Sequence, residues 1–363
     1  MLVKKTAESV SLGHPDKSAD YISSYILDRY LEKDPGTRYA VEVMLKGNEV
    51  IVGGEVKSSV TFSNDDITMF VKNALSDIGY SIEYEKLWKD SAIENSKVKV
   101  INLISGQSEG ISVGVSNNGW GDQGVFVGYA TNNKKFDYLS KEQYYSKKLN
   151  YAIYSLAKSN VSLGLGLDIK TQITIAEDKI DTVIVAVPLY YKLTDIVKGK
   201  AITYKQLIEE LIIANLSIDI SDVKVIINGT GDYVEHSSIA DCGITGRKLA
   251  CDFYSVACPL GGGSPWTKDA SKADVTLNIY ARTLAVRKLG DNDECYVYLS
   301  SCIGRSQLPS SYIKYIKDGK EKIVEFSFNT RPNDLINMLD LRKPCYAEMC
   351  RESTRSFLYN RLL

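Results

Sequence analysis

Only two histidines occur in the 363 residues. One of them, His14, stands in Gly13-His14-Pro15-Asp16-Lys17. Proline stiffens such a corner and glycine allows close backbone approach, so an imidazole, a carboxylate and an ammonium converge on one rigid point. Together they can supply a proton donor, a metal ligand and a phosphate contact. A plainer account covers part of this. Proline suits the first helical position and an acid suits the first turn, so Asp16 need only help start a helix. His14 lies outside that account.

Three further groups carry potential chemistry. Gly261–Asp274 reads GGGSPWTKDASKAD, where three glycines leave backbone N–H groups free to approach phosphate oxygens. The plainer reading is a capping box in which Ser271 caps a helix and Asp274 reaches back, which leaves the glycines and Lys268 unexplained. Asp241–Lys248 reads DCGITGRK, with Arg247 and Lys248 adjacent; it is either a solvated turn or part of a nucleotide site. Glu42 and Glu55 sit on alternating segments, where most acids face water. Summed, Lys17, Arg247, Lys248, Lys268 and Lys272 gather positive charge. Asp16 and Asp274 bracket a place for magnesium, which favours carboxylate and phosphate oxygens. The residues themselves thus point to a magnesium- and nucleotide-dependent enzyme with a polyphosphate ligand such as ATP.

The elements that must position these groups follow a repeating pattern. Residues 39–45 and 49–56 alternate like strands around Lys46-Gly47-Asn48, and residues 65–78 follow with helical spacing. Residues 170–176 and 181–187 flank Glu177-Asp178-Lys179, and a helix is expected over 204–216. A looser third set places strands at 294–300 and 322–328, with a turn at Asp318-Gly319, then a helix at 333–341. Further helices are expected at 15–32, 141–158 and 271–288. Three copies of hairpin-then-helix imply three similar α+β units. The division expected is 1–105, a glycine-dense segment 106–121, then 122–233 and 234–363. The glycine-dense segment reads as a linker or as a lid that orders over a ligand.

Composition narrows the class. The hydrophobic share is 44% and the charged share 25%, ordinary for a soluble globular chain. No apolar run approaches the ~20 residues that span a bilayer. The first residues, MLVKKTAES, lack a secretory signal core, so a cytoplasmic location is expected. A net charge of −1 argues against a nucleic-acid partner. All seven cysteines lie between Cys242 and Cys350 without a CxxC pair, which fits buried thiols better than disulfides or zinc.

These motifs resemble the S-adenosylmethionine synthetase (methionine adenosyltransferase) family. The first is similar to its Ser-Glu-Gly-His-Pro-Asp-Lys signature, the second to Gly-Gly-Gly-Ala-Phe-Ser-Gly-Lys-Asp, the third to Asp-Cys-Gly-Leu-Thr-Gly-Arg-Lys. Val52-Gly53-Gly54-Glu55, Gly121–Gly124, Phe126–Asn132, Arg331-Pro332 and Met338–Leu341 follow in family order. The resemblance implies three α+β domains related by pseudo-threefold symmetry. It implies attack of methionine sulfur on C5′ of ATP, displacing triphosphate that is then hydrolysed to pyrophosphate and phosphate.

By matched position, His14, Lys170, Arg247 and Lys268 are the implied catalytic residues, with His14 on the oxygen that leaves C5′. Asp168, Asp241, Lys248 and Ser264 join them around ATP. Glu55, Gln107, Asp122, Asp241 and Lys272 are implied for methionine, with Lys272 also a phosphate contact. Asp16 and Asp274 are implied to hold two magnesium ions and Glu42 a potassium ion. A homodimer with shared active sites, or a tetramer of such dimers, is implied. The chain departs from the family at Leu12, at Asp232 where an arginine is usual, in a shorter 107–121 loop, and in its ending RESTRSFLYNRLL. Asp232 is expected either to weaken nucleotide affinity or to be offset by Arg282 or another cation. Two rivals stand beside this: a non-catalytic paralogue that keeps the fold and binds nucleotide or a partner subunit without turnover, and an ATP-dependent ligase or kinase using the same phosphate site.

Overall fold

The computed structural model describes residues 4–106, 119–326 and 330–356. In chain order the elements begin β1 (Lys4–Val10), α1 (Pro15–Lys33), β2 (Arg38–Lys46), β3 (Glu49–Lys57), α2 (Asn64–Ile78), α3 (Ile82–Trp88) and β4 (Lys99–Gly106). Next come β5 (Gly124–Thr131), α4 (Lys141–Ser159), β6 (Lys170–Ala176), β7 (Lys179–Ala186), α5 (Tyr204–Leu216), β8 (Lys224–Ile227), α6 (Ser237–Ala240) and β9 (Gly243–Ile244). The remainder are α7 (Leu249–Asp252), α8 (Ala273–Lys288), β10 (Glu294–Ser301), β11 (Ser310–Lys317), β12 (Lys320–Glu325), α9 (Pro332–Met338) and α10 (Tyr346–Ser353). None of the described helices is long and apolar enough to cross a membrane.

Among the described residues the strands form three four-stranded sheets, ordered β4-β3-β2-β9, β8-β7-β6-β1 and β12-β11-β10-β5. Helices back each one: α1 and α2 the first, α4 the second with α5 packed on α4, and α8 the third with α9 packed on α8. The expected α+β class with three sheet-and-helix units is therefore the observed one. In the first two units a hairpin is followed by a helix and a strand parallel to the second hairpin strand. Each sheet also takes a strand from elsewhere in the chain. Residues 4–10 pair with β6, residues 124–131 with β10, and Gly243–Ile244 with β2. These exchanged strands stitch the units together.

Local chemistry explains the boundaries. Ser63 and Asp66 form a reciprocal capping box that starts α2, and Gly79 ends it at φ 123°. Thr203 and Gln206 do the same for α5. Helix α1 is buried around nearly its whole circumference, so its polar residues must find partners. Ser18 Oγ donates to the Leu12 carbonyl, Ser23 Oγ to Val41, and the Asp28 carboxylate accepts from the N–H groups of Tyr346 and Ala347 at the start of α10. Leu12, which departs from the family signature, is fully buried in the core.

Three expectations need correction. The third unit's strands at 294–300 and 322–328 are not hairpin partners. Between them lies the unforeseen β11, which pairs with β10 on one side and with β12 across Asp318-Gly319 on the other. The helix expected from Ser271 starts at Ala273, with Lys272 at its N-cap and no side-chain cap bond. Asp274 does not reach back to form a capping box; its carboxylate meets Lys268 instead. The lid or linker reading of 106–121 falls mostly outside the described residues.

Close backbone approach fixes β9 on α1. A Cβ at Gly243 would lie 2.4 Å from the Pro15 carbonyl oxygen. Gly243→Ala is expected to cost about 1–3 kcal/mol, as overpacking does, seen as a lower Tm. Gly106→Ala, with nothing within 4 Å, should change stability by less than about 0.5 kcal/mol. Equal Tm values for the two variants would contradict this packing account.

Candidate functional site

The site is assembled along one strand edge. On the edge of β2 opposite β3, β9 pairs at Met44 and Leu45, and the chain at Thr267–Asp269 lies antiparallel beside Tyr39–Val41. The Val41 N–H donates to the Thr267 carbonyl at 2.9 Å and the Asp269 N–H to the Tyr39 carbonyl at 3.1 Å. Two motifs distant in sequence, DCGITGRK and GGGSPWTKD, thus follow one another along a single edge. The exposed Glu42 marks their junction: its carboxylate accepts from the hydroxyls of both Thr245 and Thr267.

Helix α1 grips the first motif. The Asp16 carboxylate, fully buried, accepts from the Ile244 N–H at 2.8 Å, and Asp20 one turn later accepts from the Gly246 N–H at 2.8 Å. Lys248 Nζ lies 2.5 Å from the other Asp16 oxygen, and Arg247 is 3.7 Å from the first. The second motif carries its own pair, Lys268 with Asp274. Gly263 has no room for a side chain, because a Cβ would lie 2.1 Å from Asp274 Oδ1; at Gly261 the obstacle is the Val125 carbonyl. Close packing therefore accounts for these two glycines. Ser264 stands beside Gly246 and accepts from the Trp266 N–H at 3.2 Å.

Residues 167–170 close the group. Gly13 is pressed against the Leu167 carbonyl, and Ser11 bonds both to that carbonyl at 2.5 Å and to the Ile169 N–H at 2.9 Å. This holds Asp168 and Lys170 beside the His14 corner. Asp168 Oδ2 accepts from the Ser237 N–H at 3.2 Å, while Oδ1 is buried with no hydrogen-bond partner among the described residues. Burial pushes the Asp168 pKa up to about 6, against the pull of Lys170.

His14 is 1% exposed. Burial, then the charges of Lys248, Lys170, Lys17 and Arg247, push its pKa down to about 2. Its Nδ1 accepts from the Asp16 N–H at 3.1 Å, so the ring proton resides on Nε2. The site holds a neutral imidazole with a defined donor among four cations.

Not every expected residue joins this group. Lys17 is corrected from ligand contact to framework. It is fully buried, 2.9 Å from Asp252 and 3.2 Å from Asp20, and its ammonium lies 4.4 Å from the centre of the Trp266 ring. Burial opposes its charge, but the two carboxylates keep it ionised. Arg282 is likewise committed, donating to the carbonyls of Tyr129, Asp137 and Tyr138, so it does not offset Asp232. Asp232 instead accepts from the Leu193 N–H at 3.2 Å. Asp241 is exposed and accepts from the Cys242 N–H at 2.8 Å; its charge acts on Asp168. Glu55 is half-buried on β3, across from Ala40, whose other neighbour is Lys268. Lys272 is half-buried at the N-cap of α8. Asp122 is exposed just before β5 and accepts from the Gln123 N–H. Gln107 lies outside the described residues. Sequence reasoning missed Asp20, Asp252 and Trp266; only the spacing of Asp20 one turn after Asp16 was a visible signal.

Sequence models of the N-terminal, central and C-terminal domains of S-adenosylmethionine synthetase match residues 3–109, 117–233 and 236–356. A solved structure described as an unusual S-adenosylmethionine synthetase from Campylobacter jejuni is 31% identical, with 99% of this chain and 97% of that chain covered and a TM-score of 0.85. Three tandem α+β units meet at a cationic, carboxylate-lined junction. The chain belongs to the S-adenosylmethionine synthetase family and is a methionine adenosyltransferase.

The other histidine, His236, is also buried, which pushes its pKa down to about 4. Unfolding lets each imidazole take a proton near its ordinary 6.5. The unfolded chain therefore binds more protons below that pH, and stability falls as pH drops. The His236 contribution is full above about 6.5 and is lost as pH falls towards 4. Between pH 7 and 5, urea titrations should show wild type losing on the order of 2 kcal/mol more than His236→Phe. Identical pH slopes would contradict a buried neutral ring.

Proposed function

We propose that the enzyme joins ATP and L-methionine into S-adenosylmethionine by attack of the methionine sulfur on C5′, with the whole triphosphate displaced and then hydrolysed to pyrophosphate and phosphate. The observation that carries this reading is His14: a neutral ring whose Nε2 proton is fixed by its Nδ1 bond, set among Lys170, Arg247, Lys248 and Lys17. A thioether has no proton to lose, so the reaction needs no general base. It needs a donor at the departing oxygen and prepositioned charge for the polyphosphate. His14 supplies the donor. Lys170, Arg247, Lys248 and Lys268 supply the charge, and Ser264, Asp168 and Asp241 complete the nucleotide side. Glu55, Gln107, Asp122, Asp241 and Lys272 are assigned to methionine, where carboxylates suit a sulfonium product.

Asp16 and Asp274 fit magnesium. Each already holds an ammonium on a carboxylate oxygen, a place a metal cation would take over. Magnesium takes one or two carboxylates from protein and completes its shell with phosphate and water. Bound there, it would neutralise charge growing on the triphosphate. Glu42 is assigned to potassium.

A homodimer, alone or paired into a tetramer, is favoured by the outer face of the first sheet. Met44, Ile101, Leu103 and Ile244 are exposed beside Glu42 and Glu55, so a second copy covering that face would also reach the site. The location proposed is the cytoplasm, and the domains proposed are 1–105, 122–233 and 234–363. A nucleotide-binding paralogue without turnover is the second reading, favoured by Asp232 in place of a cation.

Incubation with ATP, methionine, magnesium and potassium should yield S-adenosylmethionine, pyrophosphate and phosphate. Lys268→Ala and Asp274→Ala should each lower kcat by about 100-fold or more, with Tm little changed. Nucleotide binding without product would favour the paralogue, and phosphate release without S-adenosylmethionine would favour a ligase or kinase.

A further inference from the structure

His236 lies behind the site, and its hydrogen bonds have a defined direction. It is 1% exposed. Its Nδ1 is 2.7 Å from the Val234 carbonyl oxygen, which only accepts, so Nδ1 carries the ring proton. Nε2 is then an acceptor, and the Tyr84 hydroxyl 2.5 Å away donates to it. With its proton committed, the Tyr84 oxygen accepts from the Leu167 N–H at 3.1 Å. The next residue along acts on the next residue across, since the Ser237 N–H donates to Asp168 Oδ2. Residues 236 and 237 thereby hold 167 and 168, with Tyr84 as the intermediary. Aromatic rings enclose the relay: Tyr84 stacks on Trp88 at 5.6 Å and meets Tyr80 edge-on at 5.3 Å. Ser237 is held at φ 57°, a left-handed conformation a serine adopts only when its surroundings impose it. Its hydroxyl is fixed by the Ile93 N–H at 2.9 Å.

We infer that His236, acting through Tyr84, is a positioning residue for the nucleotide side of the site, setting the backbone that presents Asp168 and Lys170 beside His14. The inference rests on the reading that Asp168 contacts ATP. Leu167 is the shared point, because its carbonyl receives Gly13 and Ser11 from the His14 corner while its N–H is held by the relay. Breaking the relay strands a buried donor and frees this segment to shift.

Tyr84→Phe removes one hydroxyl and keeps the ring packing. Tyr84→Phe, His236→Phe and the double variant are to be compared for KM of each substrate, kcat, and Kd of a non-hydrolysable ATP analogue, below each variant's Tm. The expected result is about a 10-fold rise in KM for ATP and in Kd for the analogue, an unchanged KM for methionine, and no further loss in the double variant. Asp168→Asn, measured alongside, separates the two claims. If Asp168→Asn weakens ATP binding while folded Tyr84→Phe and His236→Phe do not, the relay inference is overturned and the ATP assignment stands. If Asp168→Asn has no effect on ATP, the assignment falls and the inference with it. Equal KM shifts for both substrates, or additive losses, reduce the relay to general packing and overturn the inference.

Discussion

The buried carboxylate of Asp16 is the contact on which the site depends. In one position it fixes the backbone of β9 through the Ile244 N–H and the charge of the following loop through Lys248. Its own N–H orients His14. A carboxylate with no exposed surface is stable there only because these donors replace water. Removing any of them leaves a buried carboxylate short of a donor, so the first turn of α1, β9 and the loop to Lys248 must form together. Asp20 repeats the arrangement one turn later at Gly246, while the Lys17–Asp252–Trp266 network supports both from beneath.

This contact also sets the electrostatics. Lysines that would otherwise repel one another are paired with acids: Lys248 with Asp16, and Lys268 with Asp274. The cations are therefore held in position by the fold itself, and on the proposed function a polyphosphate with metal ions would exchange partners with these pairs without large reorganisation. His14 stays uncharged in the middle because burial and the surrounding cations both disfavour its proton. A neutral donor suits an oxygen that gains charge only as its bond to carbon breaks. The two buried histidines sit on either side of this arrangement, one at the junction and one behind the segment that bears Asp168.

The hairpins and long helices were legible in the amino-acid order because alternation and helical spacing are local signals. Residues 170–176 and 204–216 have the observed boundaries of β6 and α5. The convergence of the histidine corner with the two glycine-containing motifs was also legible, since their residue types complement one another chemically. The exchanged strands were not. Gly243–Ile244 is too short to show a period, and nothing in residues 4–10 or 124–131 names a distant partner. Lys17 looked like a ligand because sequence shows its charge and not the two buried acids that neutralise it. The plainer cap reading of Asp274 fits its spacing from Ser271, yet a lysine six positions earlier takes the same carboxylate. His236 gave no signal at all: its role comes from Tyr84, which is remote in the chain.

The most direct test is a crystal structure with magnesium, methionine and a non-hydrolysable ATP analogue. The account predicts that Asp16 and Asp274 exchange their lysines for metal at about 2.1 Å, that Lys248 and Lys268 turn to phosphate oxygens, and that His14 Nε2 faces the oxygen on C5′. A nucleotide bound elsewhere, with both acid–lysine pairs intact and His14 far from the triphosphate, would contradict it.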